Sequence, residues 1–184
     1  MNTGSEHWFL VASVAVCAIA AVVDLRTGQI PNWLTLGLLG CAPLARGALS
    51  FARHAHSLSA AATEAGASLA AGLGSALVPL ALAHRGGLGL GDVKLFAAVG
   101  AACGIFAAVY AQTYAYVFSM VYALVLVART GRAAQTFGNI RRLFGGEAAG
   151  APTPEQRHEG FTEVKFGPAI FAGMCVAAWA RWRA

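Results

Sequence analysis

The chain has 184 residues, of which 58% are hydrophobic and 11% charged, and its formal net charge is +5. A soluble domain carries about 25% charged residues, so composition excludes a soluble enzyme and indicates a membrane protein of one domain, 1–184. In such a chain an excess of Lys and Arg reads as orientation in the bilayer and not as nucleic-acid binding.

Six apolar runs predict an all-α polytopic protein with six transmembrane helices, because backbone groups in lipid must pair within their own segment. The first run, 8–23, ends at Asp24. A polar turn, Asp24-Leu-Arg-Thr-Gly-Gln-Ile-Pro-Asn32, follows; Pro31 ends regular structure and Asn32 is a candidate cap for the next helix. The second run is 33–49. A polar connection with Arg53, His54 and His56 leads to the third run, 65–83, which Pro79 is expected to break. Four glycines then fall between Gly86 and Gly91. The fourth run is 93–111 and the fifth, 113–128, follows almost at once. A polar segment, 129–165, carries most of the charge, and its stretch 145–154, rich in Gly, Ala and Pro, is expected to be mobile. The sixth run is 166–182. Several runs fall short of the ~20 residues that cross hydrocarbon, with flanking Trp, Tyr, Lys and Arg to complete them at the interface. Gly100-Ala-Ala-Cys-Gly104 and the pair Gly37 and Gly40 are expected to let helix backbones approach closely.

The four cysteines, Cys17, Cys41, Cys103 and Cys175, lie in separate apolar runs without a CxxC. They read as small core residues and not as a disulfide framework or metal site. The amino terminus has Glu6 and no basic stretch, so no cleavable signal peptide of the usual form is expected. Placing both termini outside puts nine of the thirteen Lys and Arg residues on the cytoplasmic side. Asp24 and Asp92 then share that side.

Asp24 and Asp92 are the only aspartates in the chain. Asp92 appears where Gly89-Leu-Gly91 enters an apolar run, and an ionisable group at the edge of lipid is a functional candidate. Two carboxylates close together in a low-dielectric site do not both ionise easily; one holds a proton while the other acts as a base. Such a pair can activate water and protonate a leaving amine. The alternatives are structural: Asp92 as a helix cap, Asp24 as a polar helix end, and Lys94 neutralising either or snorkelling to the interface. The glycine loop is neither a P-loop nor GxGxxG; His54 and His56 lack an HExxH context, and GxSxG is absent. No metal or other cofactor is expected.

Gly89-Leu-Gly91-Asp92-Val-Lys94, followed by Gly100 and Gly104, resembles the GxGD signature of the type IV prepilin peptidases. Asp24 with Ile30-Pro31-Asn32 resembles that family's first aspartate motif. Phe166-Gly167-Pro168 is similar to its closing PFGP element, with Lys165 in place of the first Pro. The resemblance implies a membrane aspartyl endopeptidase with Asp24 and Asp92 catalytic. It also implies an active-site surround of Gly89, Gly91, Lys94, Pro31, Asn32, Gly167 and Pro168. The implied substrate is a prepilin or pseudopilin in the bacterial inner membrane, cut at the cytoplasmic face after a short basic leader. Larger members carry a cysteine-bearing cytoplasmic domain associated with N-methylation. Here only Asp24 to Asn32 joins the first two runs, so the chain resembles the short, peptidase-only branch of the tight-adherence (Flp) pilus type. Two other classes stay open at this level: a small ion-coupled transporter using both aspartates as ligands, and a secretion scaffold without chemistry.

Overall fold

The computed structural model describes residues 3–54, 56–130 and 165–183. Regular structure among them is helical: α1 (Thr3–Thr27), α2 (Asn32–Arg53), α3 (Leu58–His84), α4 (Leu90–Cys103), α5 (Ile105–Thr130) and α6 (Gly167–Arg183). The predicted all-α class is the observed one. Helices α1, α2, α3 and α5 are long and apolar enough to cross a bilayer. Helices α4 and α6, with 14 and 17 residues, are shorter than the ~20 that a full span requires. Of the polar segment at 129–165, only Arg129, Thr130 and Lys165 are among the described residues, and the stretch at 145–154 lies outside them.

Helix α4 is the centre of the bundle and touches α1, α2, α3 and α5. Its Leu95, Phe96, Ala98, Val99, Ala101 and Ala102 are fully buried. Small residues permit this enclosure. A Cβ on Gly100 would lie 2.7 Å from the Ala71 carbonyl oxygen of α3, and one on Gly72 of α3 would lie 2.9 Å from that of Ala97. The two backbones are thus near contact, as packing in lipid favours.

Gly104 plays a different part from the one expected of a GxxxG pair. Nothing lies within 4 Å of where its Cβ would be, and its φ is +83°. That backbone conformation is open to glycine and strained for other residues. The run expected as one helix over 93–111 is therefore divided: α4 stops at Cys103 and residues from Ile105 begin α5. Gly37 and Gly40 also face open space, and the close approach of α2 is at Gly47, where an added Cβ would lie 3.1 Å from the Ala61 carbonyl oxygen.

Pro79 does not break α3, which runs through it to His84. Proline removes the N–H that would have bonded to the Ser75 carbonyl one turn earlier. Gln112 of α5 donates its side-chain amide to that carbonyl instead. The Ser75 hydroxyl also donates to the Phe96 carbonyl of α4 at 3.0 Å. Near the far end of α4, Ser68 donates to the Ala101 carbonyl at 2.7 Å, and Arg46 donates to that of Ala102 at 3.0 and 3.1 Å. These carbonyls have no partner within a helix that stops at Cys103, and in lipid each would be costly if left bare. The polar connection expected before residue 65 is also mostly helical. Ser57 caps α3 by accepting from the Ala60 N–H at 3.3 Å.

Candidate active site

Asp24 lies in the last turn of α1, where the Gly28 N–H closes the helix on the Asp24 carbonyl at 2.9 Å. Its side chain is buried, with 7% exposure. The Asp24 carboxylate accepts a hydrogen bond at 3.0 Å from the backbone N–H of Gly167, the first residue of α6. That N–H is one of the donors a helix start leaves without an internal partner. Helix α6 therefore begins on a carboxylate supplied by α1. A Cβ on Gly167 would fall 2.8 Å from Asp24 Oδ2 and 2.9 Å from its Cβ, so the fit requires glycine.

Asp92 is the third residue of α4 and not its cap; Gly89 occupies the cap position, and its carbonyl accepts from the Asp92 and Val93 N–H groups. The Asp92 carboxylate folds back onto the loop beside Gly89. Its Oδ2 lies 3.1 Å from where a Gly89 Cβ would be. The structural reading of Asp92 is thus partly correct, since a carboxylate in the first turn that reaches back to the cap backbone stabilises a helix start.

The two carboxylates are close enough for the charge on one to act on the other. Each sits at the positive end of a helix, Asp24 at α6 and Asp92 at α4, an arrangement that favours negative charge. Among the described residues the ion pairs are Arg46 with Glu64 and Arg181 with Glu6, and neither involves an aspartate. Lys94, a candidate neutraliser, donates to the Asn32 side-chain oxygen at 2.8 Å. Asn32 is the first residue of α2 and not its cap; Pro31 holds the cap position.

The remaining expected residues gather at this end of the bundle. Gly91 packs on Ile30, whose Cβ would lie 3.3 Å from a Gly91 Cβ, so the glycine loop rests on the turn that follows Asp24. Pro168 stands in the first turn of α6, where a missing N–H costs no helical bond. Lys165 donates to the Leu25 carbonyl at 2.5 Å, which ties the entry to α6 onto the end of α1. Three stretches far apart in sequence, 24–32, 89–94 and 165–168, thus form one polar cluster.

The family model described as the type IV leader peptidase family matches residues 11–124. The chain belongs to the type IV leader peptidase family. Neither a curated protein nor a solved structure gives a match. In this leader peptidase the matched span takes in both aspartates and the glycine loop, and it ends ahead of α6. The chemistry is peptide hydrolysis, and the leader peptidase is a multi-pass membrane protein. Sequence reasoning missed two residues of this leader peptidase. Gln112 reads there as the single residue between the runs 93–111 and 113–128, and Tyr116 as a member of the second of them. Tyr116 packs its ring against Phe96 of α4 and Phe166 before α6, with centroids 6.0 and 5.8 Å apart. No local pattern marks either residue, since their partners are on other helices.

Proposed function

We propose that this leader peptidase is an aspartyl endopeptidase in which Asp24 and Asp92 act as one catalytic unit. The observation that carries the reading is the convergence of two carboxylates without an ion-pair partner among the described residues on two helix starts, Asp24 bonded to the Gly167 N–H of α6 and Asp92 folded back on Gly89 at the start of α4. In the reaction a water oxygen bonds to the scissile carbonyl carbon while one carboxylate takes the water proton. The tetrahedral species then expels the amine, which takes its proton from the other, protonated carboxyl group. Atoms balance as peptide plus water to acid plus amine. The pair titrates jointly, so proton positions belong to the pair and not to one residue.

The substrate is a membrane-inserted prepilin or pseudopilin whose basic leader is removed at the cytoplasmic face of the inner membrane, for pilus or secretion-system assembly. The short connection between α1 and α2 fits the peptidase-only branch. The residue before the cut is Gly: beside Gly89, which is exposed, a leader residue without a side chain meets no bulk. The function is tested by co-expression with a candidate prepilin and a gel assay for leader loss. Asp24→Asn and Asp92→Asn are each expected to lower cleavage by about a thousand-fold or more while the protein still accumulates in the membrane, because members of a catalytic unit fail together. Cleavage at the parental rate by either purified variant ends the aspartyl assignment. Parental rates for substrates with Val or Glu before the cut end the close-approach account of specificity alone.

A further inference from the structure

Tyr116 has a hydroxyl that its surroundings leave unused. Its oxygen is closed off from solvent and has no hydrogen-bond partner, a condition shared among the described residues only with Ser119. Buried polar groups without partners are uncommon, and in a hydrocarbon-level bundle a bare hydroxyl costs free energy until it gains a hydrogen-bond partner. Asp92 is the charged group that acts on the Tyr116 hydroxyl.

The position follows from the backbone. Helices α4 and α5 leave the turn at Gly104 as neighbours, and Asp92 and Tyr116 each stand twelve residues from it. At equal rise per residue, that places the two at one depth. The ring is wedged between Phe96, one turn along α4 from Asp92, and Phe166, which directly precedes the Gly167 that holds Asp24. Tyr116 is thus braced by neighbours of both aspartates, with its one polar atom at the level of the pair.

We infer that Tyr116 is a further catalytic residue, whose hydroxyl donates a hydrogen bond to the scissile carbonyl oxygen as that oxygen becomes an oxyanion. This rests on the aspartyl peptidase reading above. As the water oxygen bonds to the carbonyl carbon, the π electron pair moves onto the carbonyl oxygen. Tyr116 keeps its proton throughout. The bond it donates strengthens as charge develops and weakens again when the amine leaves. The hydroxyl is closed off in the free protein, so the entering peptide has to uncover it; once uncovered, a donor already held in direction lowers the barrier with little reorganisation. The ring stack is what fixes it.

The test compares Tyr116→Phe, Ser119→Ala, Asp92→Asn and the parent on one prepilin, with rates taken per mole of monodisperse purified protein. Tyr116→Phe keeps the ring between Phe96 and Phe166 and removes only the hydroxyl. It is expected to lower kcat by about 100-fold, as loss of one such donor does, with KM within about twofold and a melting midpoint no lower than the parent's, since a bare buried hydroxyl is removed. Ser119→Ala removes the other unpartnered hydroxyl, one turn further along α5, and is expected to cleave at the parental rate. Parental kcat for Tyr116→Phe with an inactive Asp92→Asn overturns this inference and leaves the aspartyl reading intact; parental kcat for both removes the aspartyl reading as well. Equal losses in Tyr116→Phe and Ser119→Ala also overturn it, because the effect then belongs to α5 packing and not to one oxygen. Tyr116→Leu, lacking ring and hydroxyl, gives a further reading: kcat no lower than that of Tyr116→Phe supports the oxygen, and a parental Tyr116→Phe beside an inactive Tyr116→Leu assigns the role to the ring.

Discussion

Gly167 leaves no room beside Asp24, and this makes the smallest possible substitution a strong test of the site. Gly167→Ala places a methyl where Asp24 Oδ2, Cβ and Cγ would be 2.8 to 3.1 Å away. The carboxylate must then move off the α6 N–H or α6 must retreat. Cleavage is expected to fall by about 100-fold, since displacements near 1 Å in a reacting group have costs of that order, while membrane accumulation falls much less. Normal cleavage by Gly167→Ala counts against the Asp24–Gly167 contact as part of the working geometry. Gly91→Val is expected to act in the same direction, because Ile30 stands 3.3 Å from the added Cβ. Both aspartates and the glycine loop were legible as sequence, because a carboxylate next to lipid and a cluster of glycines are each unusual where they stand. What Lys165 does was not legible. Its bond to the Leu25 carbonyl joins residues 140 positions apart, and nothing local to Lys165 announces it.

At the scale of the helix, Pro79 and Gln112 form a pair whose energetics are testable. Gln112→Leu leaves the Ser75 carbonyl without a donor in a chain where Pro79 has already removed the ordinary one. An unsatisfied buried acceptor costs about 1–3 kcal/mol, so the variant should melt earlier than the parent in the same detergent. Pro79→Ala restores a backbone N–H to α3, and Gln112→Leu should then cost less in that background. Equal costs of Gln112→Leu in the two backgrounds would show that the amide does not compensate for the proline. The pair also explains where helix reading from sequence succeeded and failed. The existence of the apolar helices was plain, because long apolar runs have few other solutions in lipid. That α3 continues past Pro79 was not, because the compensating donor is on another helix. That α4 stops at Cys103 was not, because Gly100 and Gly104 look alike in sequence; one faces Ala71 and the other has a φ of +83°. The outward growth of α3 to Leu58 turned on Ser57, a cap recognisable only once the helix start is known.

For the whole molecule, the turn between α1 and α2, the glycine loop and the start of α6 share one end of the bundle, and the turn between α2 and α3 lies at the other. From the charge count we propose that the first of these ends faces the cytoplasm. In a cysteine-free background, Gln29→Cys should resist an impermeant maleimide added to intact cells, while His56→Cys should react; the reverse pattern would invert the orientation. Helices α1 and α6 are also fastened to each other at both ends. Asp24 meets Gly167 and Lys165 meets Leu25 at one, and Arg181 pairs with Glu6 at 2.9 Å while Trp182 packs on His7 at the other. Asp24 accepts from a residue 143 positions later in the chain. During synthesis, therefore, the first aspartate and the glycine loop are inserted long before the N–H that holds Asp24 exists. A nascent chain lacking α6 has both carboxylates and not the N–H that holds Asp24, so cleavage is expected to begin only once α6 is inserted. A chain ending at Gly150 should accumulate without cleaving prepilin, and co-expression of residues 151–184 as a separate polypeptide should restore cleavage through the two ties to α1. Full activity from the shortened chain alone would mean that α1 and α4 suffice, and that the last helix only closes the bundle.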